Sequence, residues 1–393
     1  MNRWILGLMT AWLFASLQVF AGEAVSIGER HPLKSAVLNE ERSYAVALPK
    51  SYTPQGSRRY TVLYVLDAQT AFKHVATTVE FLSDYGDIPE MIVVGIDSTD
   101  RLRDYTPTDW SKMNGADGGG PTFKRFLAQE LIPEIERNYR SDGYRILMGH
   151  SLAGLFTLYA MTDEPTLFRA WLVTSPTLDW DDGYALRAFK PDFGKAIKQP
   201  GFLYLARSDD SGKPLADFDA VVAAVKKHAP DTLRSHASAY PDEMHVTVPL
   251  VADIDALRQL YAGYRLHPDH MDKGIAHAEQ HFAVISKKLG TALAMPEQTA
   301  NELGYAALGA ERVDEATALF ERNVRNFPDS ANAADSLADA YAKAERWAEA
   351  RDSAARAVAI ATRQRDPNLA YFQKQVQQFT DAAAKATAPN QAD

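Results

Sequence analysis

Tyr144-Arg-Ile-Leu-Met-Gly-His-Ser-Leu-Ala-Gly-Leu-Phe-Thr-Leu-Tyr-Ala-Met-Thr162 decides how the rest of this chain is read. Ile146, Leu147 and Met148 form the short apolar run expected of a strand buried on both faces. Beyond Ser151, the apolar residues Leu152, Leu155, Phe156 and Ala160 recur at helical spacing. Gly149, His150 and Ser151 therefore fall at a strand-to-helix junction. A serine on so sharp a turn projects its hydroxyl clear of the sheet, and small neighbours let strand and helix pass closely. The amide of Leu152 then opens the helix where an oxyanion would form. An ordinary small-residue turn is the bland alternative, and the flanking strand and helix argue against it.

Outward from this junction the pattern is strand and helix in alternation. Ser43–Leu48 predicts an early antiparallel strand, while Thr61–Leu66 and Met91–Ile96 predict central ones. A helix is expected over Phe72–Leu82 and another over Thr122–Tyr139, with a glycine-rich loop at Gly115–Gly120. Past the junction, Ala170–Val173, Phe202–Ala206 and Ser235–Tyr240 predict strands, and Asp217–Lys227 and Ile254–Leu266 predict helices. Alternation at these intervals predicts an α/β fold with a mostly parallel sheet covered on both faces.

Asp272–Leu289 predicts a connecting helix, and from about Glu297 the chain becomes alanine-rich. Leu303-Gly304 recurs as Leu337-Ala338, Ala316 as Ala350 and Val313 as Trp347, each 34 residues later. That is the tetratricopeptide period, with small residues where two helices would touch and Pro328 ending the first unit. Two units are few for an independent solenoid, so they should lean on the preceding domain or on a final helix near Tyr371–Ala384. They are read as a rim for the pocket, or as a surface for a protein partner or self-association. The expected division is 1–21, a secretory signal; 22–266, the α/β domain; 267–296, a connecting helix; and 297–385, a small all-α domain.

The leader reading rests on Arg3, a mostly apolar Trp4–Phe20 and Val19-Phe20-Ala21 before cleavage. Thr10, Ser16 and Gln18 interrupt a run already short for a membrane span, which argues against an anchor. No cysteine occurs, which excludes disulfides, thiolate metal sites and a cysteine nucleophile. Export without disulfides points to the periplasm, or to secretion. The whole chain has 42 basic and 51 acidic residues, a formal charge of −9, and no basic stripe, so nucleic acid is not an expected partner.

A serine nucleophile needs a base for its proton, and the base needs an acid to hold its tautomer. His245 follows a predicted strand, precedes a helix and lies 94 residues beyond Ser151, which suits the base. Asp209 and Asp210 share the loop after Phe202–Ala206, and Asp210 is the preferred acid of the two. His150 is too near the turn to serve Ser151's hydroxyl and is read as an orienting or pocket residue. His267, His270, His277 and His281 invite a metal reading, but no H-E-x-x-H pattern is present and Pro268 interrupts the first pair. No metal and no cofactor is expected.

With these residues in hand, the chain resembles the putative-esterase family of α/β-hydrolases, which includes siderophore-trilactone esterases, S-formylglutathione hydrolase, feruloyl esterases and mycolyl transferases. The resemblance spans about Lys34 to Leu266. It rests on Ser35-Ala-Val-Leu-Asn-Glu-Glu-Arg42, Val62-Leu-Tyr-Val-Leu-Asp67, Val94-Gly-Ile-Asp97 with Arg101-Leu-Arg-Asp-Tyr-Thr-Pro107, Gly149-His-Ser-Leu-Ala-Gly154, Thr174-Ser-Pro-Thr-Leu178 and His245-Val-Thr-Val-Pro249. It implies an α/β-hydrolase fold in which Ser151 is the nucleophile, His245 the base and the Leu152 amide one oxyanion donor. Ala68 or Gln69 would supply the second donor, and Asp210 the acid, although the siderophore-esterase branch that the chain resembles includes members that work with only a Ser–His pair. His150, Trp180 and Arg101 are the expected pocket residues. The chain departs from the family pattern at Ala68 and Ala153, where glycine is usual, and at Asp179 and Arg207, which alter pocket shape and charge.

The function these readings predict is an exported serine esterase acting on a small-molecule carboxylic ester, of siderophore or another type, with no cofactor and no membrane contact after leader removal. Two rivals share the sequence. One is an acyltransferase that passes the same acyl group to an alcohol. The other is a partner-binding protein whose repeats act on a non-catalytic hydrolase scaffold, and an intact Ser151/His245 pair argues against it.

Overall fold

The computed structural model describes residues 24–110, 117–271 and 273–387. The predicted leader and part of the Gly115–Gly120 loop lie outside them. Eight strands form one sheet: β1 (Glu29–Ser35), β2 (Glu40–Ala47), β3 (Tyr60–Leu66), β4 (Met91–Ile96), β5 (Ser141–His150), β6 (Ala170–Thr174), β7 (Gly201–Arg207) and β8 (Leu233–Ala239). Their order is β1-β2-β4-β3-β5-β6-β7-β8, with β1 and β2 antiparallel and every other pairing parallel except β2 with β4, which is also antiparallel. This is the mostly parallel α/β-hydrolase architecture. The polar edge strand β1 was not foreseen, because Glu29-Arg-His-Pro-Leu-Lys-Ser has little apolar alternation to read.

The helices of this part are α1 (Ala68–Asp84), α2 (Arg101–Tyr105), α3 (Gly120–Phe126), α4 (Ile132–Asn138), α5 (Leu152–Asp163), α6 (Tyr184–Ala188), α7 (Gly212–His228) and α8 (Pro249–Leu260). A π-helical turn at Leu127–Leu131 joins α3 to α4 within the one predicted helix. The predicted Ile254–Leu266 helix is corrected. Pro249, with its φ already suited to a first turn, starts α8 early, and the chain leaves the helix before Gly263 at φ 87°.

Alternate residues of each central strand feed two different cores, which explains their unbroken apolar runs. Leu63, Val65, Val93, Ile146 and Met148 face α1 and α8, while Val62, Tyr64, Leu66, Val94 and Leu147 face α3 to α7. Helix α5 is apolar all round because nine of its twelve residues, Ala153 to Met161, are buried.

Beyond α8 come α9 (Pro268–Met271), α10 (Ile275–Leu289), α11 (Glu297–Gly309), α12 (Val313–Asn326), α13 (Ala331–Lys343), α14 (Trp347–Gln364) and α15 (Leu369–Thr387). This region is all-helical, and α11 and α13 begin 34 residues apart (297 to 331), as do α12 and α14 (313 to 347). A Cβ on Gly304 would sit 2.3 Å from the Phe320 ring, so the bare backbone of α11 is what lets α12 approach. The core under α8 runs on without a break through Phe282, Ile285 and Leu289 to Leu303, Leu319 and Phe320.

A cleft of about 1030 Å³ separates these helices from the sheet, lined by Tyr60, Thr61 and Asp142 on one side and Phe327 and Asp329 on the other. Tyr60, Thr61 and Asp142 lie at the amino-terminal ends of β3 and β5, opposite the Ser151 end. This cleft is therefore on the face away from Ser151. Among the described residues, no helix is long and apolar enough to cross a membrane.

Candidate active site

Three neighbouring strands, β3, β5 and β6, each end in a non-glycine residue with positive φ: Asp67 at 55°, Ser151 at 60° and Ser175 at 40°. Such conformations cost about 1–3 kcal/mol each and persist only where surrounding contacts impose them. At Ser151 those contacts are its own amide to the Thr174 carbonyl (3.0 Å) and its carbonyl accepting from Leu155 (3.1 Å) and Thr177 (3.0 Å). With ψ at −120°, the turn sets Ser151 at the start of α5, whose first amides have no helical acceptor. A Cβ on Gly149 would meet the Ala153 carbonyl oxygen at 2.4 Å, so glycine is obligatory on the strand side of the turn. The methyl of Ala153 is absorbed in the apolar core.

Ser151 Oγ lies 3.0 Å from His245 Nε2. The two residues sequence reasoning paired are thus in hydrogen-bond contact across 94 positions. His245 stands on an exposed loop between β8 and α8. His150 Nε2 donates to the main-chain carbonyl of His245 at 2.8 Å, and the two rings lie 4.6 Å apart. Burial, reinforced by His245 and by Arg101 and His74, holds the His150 imidazole down at about 4, so it is neutral at ordinary pH.

The predicted acid is not joined to this pair. Asp210 is half-buried and Asp209 exposed, and among the described residues no carboxylate bonds to the His245 ring. What the acid loop does supply is the Asp209 amide, which donates to the Glu243 carbonyl at 2.9 Å and so braces the base loop.

Ala68 and Gln69 open α1, placing their amides at a helix N-terminus after β3. A Cβ on Gly95 would come within 2.8 Å of the Ala68 methyl, so the bare backbone of β4 makes the room that alanine needs here. The Gln69 side chain is tied to Ser98, accepting from its amide at 3.2 Å and donating to its carbonyl. Arg101 donates through Nε to both Asp67 oxygens at 3.0 and 3.1 Å, which anchors this loop while leaving the side chain 46% exposed. Trp180 is 2% exposed, with Nε1 donating to Thr108 Oγ1 and its ring edge-on to Trp110 at 5.2 Å. Of the three expected pocket residues, His150 touches the base, Arg101 braces the loop before α1, and Trp180 is packed away.

Sequence reading missed an Asp–His pair behind the site. Asp253 of α8, 5% exposed, accepts from His74 of α1 at 3.0 Å and from Thr174 Oγ1 at 3.3 Å. It therefore fastens the end of β6 whose carbonyl holds the Ser151 amide. No spacing signal reveals a contact between helices 179 residues apart. Among the described residues no group of three or more His, Asp or Glu side chains is arranged to hold a metal ion.

The family model described as "Putative esterase" matches residues 35–230. The ferri-bacillibactin esterase BesA of Bacillus subtilis is 31% identical over 275 residues, spanning 60% of this chain and 90% of the relative. An IroE-like serine hydrolase from Shewanella oneidensis superposes with a TM-score of 0.65 at 28% identity, covering 76% of this chain and 99% of that one. An uncharacterised protein from Capnocytophaga ochracea shares the fold over 90% of this chain and 99% of its own, with a TM-score of 0.59 at 18% identity. With the elbow, the parallel sheet and these matches together, the chain belongs to the putative-esterase family of α/β-hydrolases.

Proposed function

We propose that this protein is a serine esterase in which Ser151 and His245 act as a nucleophile–base pair. The observation that carries the reading is the 3.0 Å contact between Ser151 Oγ and His245 Nε2 at a strained elbow. His245 takes the hydroxyl proton as Ser151 Oγ bonds to the ester carbonyl carbon. The oxyanion so formed is held by the amide of Leu152 and by that of Ala68 or Gln69. The protonated His245 passes its proton to the departing alcohol. Water, deprotonated in turn by His245, then attacks the acyl carbon; the carbon–Oγ bond breaks to release the acid, and His245 returns the proton to Ser151 Oγ. With no carboxylate among the described residues bonded to the His245 ring, the pair works without a third member.

Small-molecule esters of the siderophore type are the proposed substrates, on the strength of the relative named as a ferri-bacillibactin esterase. Ser151→Ala should lower turnover of a short p-nitrophenyl ester by about 10³-fold or more while leaving the melting temperature in place. Retained turnover would remove Ser151 from the chemistry.

The composition of Met1–Ala21 supports export to the periplasm or beyond. Mature protein recovered from the periplasmic fraction should begin at Gly22, and a chain still carrying Met1 there would contradict cleavage. The 34-residue recurrence supports a tetratricopeptide-like helical domain that gives a protein partner, or a second copy, a surface to bind.

A further inference from the structure

We propose that His150 is the positioning residue for the catalytic base: its imidazole donates to the main-chain carbonyl of His245 and so fixes the place from which that base meets Ser151. This rests on the serine-esterase reading above.

The need for such a residue is plain from the loop. Met244, His245 and Val246 are all exposed, and the segment is pinned mainly by backbone bonds, from Asp209 to the Glu243 carbonyl and from Tyr240 to the Arg207 carbonyl. In a triad the acid fixes the base's tautomer and its rotation together. Here no carboxylate among the described residues bonds to the His245 ring, so rotation must be fixed otherwise. Among the described residues, His150 is the side chain, besides Ser151 itself, that reaches across from the nucleophile's own turn and bonds His245, at 2.8 Å. A carbonyl only accepts, so Nε2 of His150 carries the proton and its tautomer is settled.

Neutrality makes this arrangement workable. When His245 takes the serine proton it becomes cationic, and a second cation 4.6 Å away would oppose that step. The groups facing His150 keep it uncharged. His245 approaches from the loop before α8, Arg101 from α2 with Asp67 as its partner, and His74 from α1 with Asp253 as its partner. Burial is the largest contribution, the proximity of His245, Arg101 and His74 adds to it, and the bond to the His245 carbonyl opposes it. The turn thus places a donor beside the base without placing a charge there.

The test is a set of three variants assayed on one activated ester, with the rate of fluorophosphonate labelling of Ser151 as a second readout. His150→Ala should lower both kcat and the labelling rate by about 10- to 100-fold. KM should stay within about threefold, because the lost interaction orients the base rather than binding substrate. His150→Gln, whose amide can reach the same carbonyl, should recover most of the loss. His150→Phe, which keeps a ring but no donor, should not. Equal activity in the Gln and Phe variants, or an Ala variant with kcat within about threefold of wild type, would overturn the proposal. In either case stoichiometric labelling of Ser151 in wild type would leave the esterase reading standing. Its own failure is read separately, as turnover in Ser151→Ala.

Discussion

Ser151 is held at φ 60° by hydrogen bonds to Thr174, Leu155 and Thr177, and that strained residue sets its hydroxyl at the carboxyl end of a central strand. The side chains around it have separate roles. In the proposed mechanism Ser151 and His245 react; His150 bonds the His245 carbonyl, Asp253 fastens the end of β6, and Arg101 braces the loop before α1. Asp210, preferred as the acid from its position after β7, bonds to none of them among the described residues. Asp210→Asn should therefore keep kcat within about fivefold of wild type, against the roughly 10⁴-fold expected when a true triad acid is neutralised. A loss of that larger size in steady-state assays would return Asp210 to the triad. Ser151 and His245 were legible because chain order and local pattern suffice for both. Asp253 and His74 were not, because their contact exists only once α1 and α8 pack side by side.

At the level of elements, strands with apolar runs were readable and edges were not. Met91–Ile96 was bounded from its composition alone, whereas β1, with Pro32 and few apolar residues, carries no pattern that tells an edge strand from a loop. Helix α8 was misplaced because periodicity continues past Leu260 into a turn that Gly263 completes.

Among the later helices, Asp335 of α13 is 4% exposed, and its Oδ1 has no hydrogen-bond partner. Burial first, and then the charge of Asp339, push its carboxyl up to about 6. The folded state thus holds that proton more tightly than the unfolded chain, whose carboxylate titrates near about 3.9. Stability from this group is present in acid and is lost as pH rises through the window from about 4 to about 6. Asp335→Asn should accordingly raise stability at about pH 7.5 by about 1 kcal/mol and leave it unchanged at about pH 4. Thermal melts at the two pH values check this, and an equal gain at both would contradict it.

Across the whole molecule, the continuous core from α8 through α10 to α12 explains how so few helical hairpins persist: their apolar faces extend the core beneath α8. That attachment leaves the cleft of about 1030 Å³ at the far end from Ser151, so the site itself is framed by the loops after β3, β5, β6 and β8. With Met244, His245 and Val246 exposed, the geometry of the base loop depends on hydrogen bonds among the described residues. Everything proposed for the chemistry requires that Ser151 Oγ be the atom acylated. Treating the intact protein with a fluorophosphonate and mapping the adduct by peptide mass spectrometry tests this most directly. The expected result is a single phosphonyl group per chain, on Ser151, absent from Ser151→Ala and slowed in His245→Ala. Full ester turnover by a protein whose Ser151 stays unmodified would contradict it.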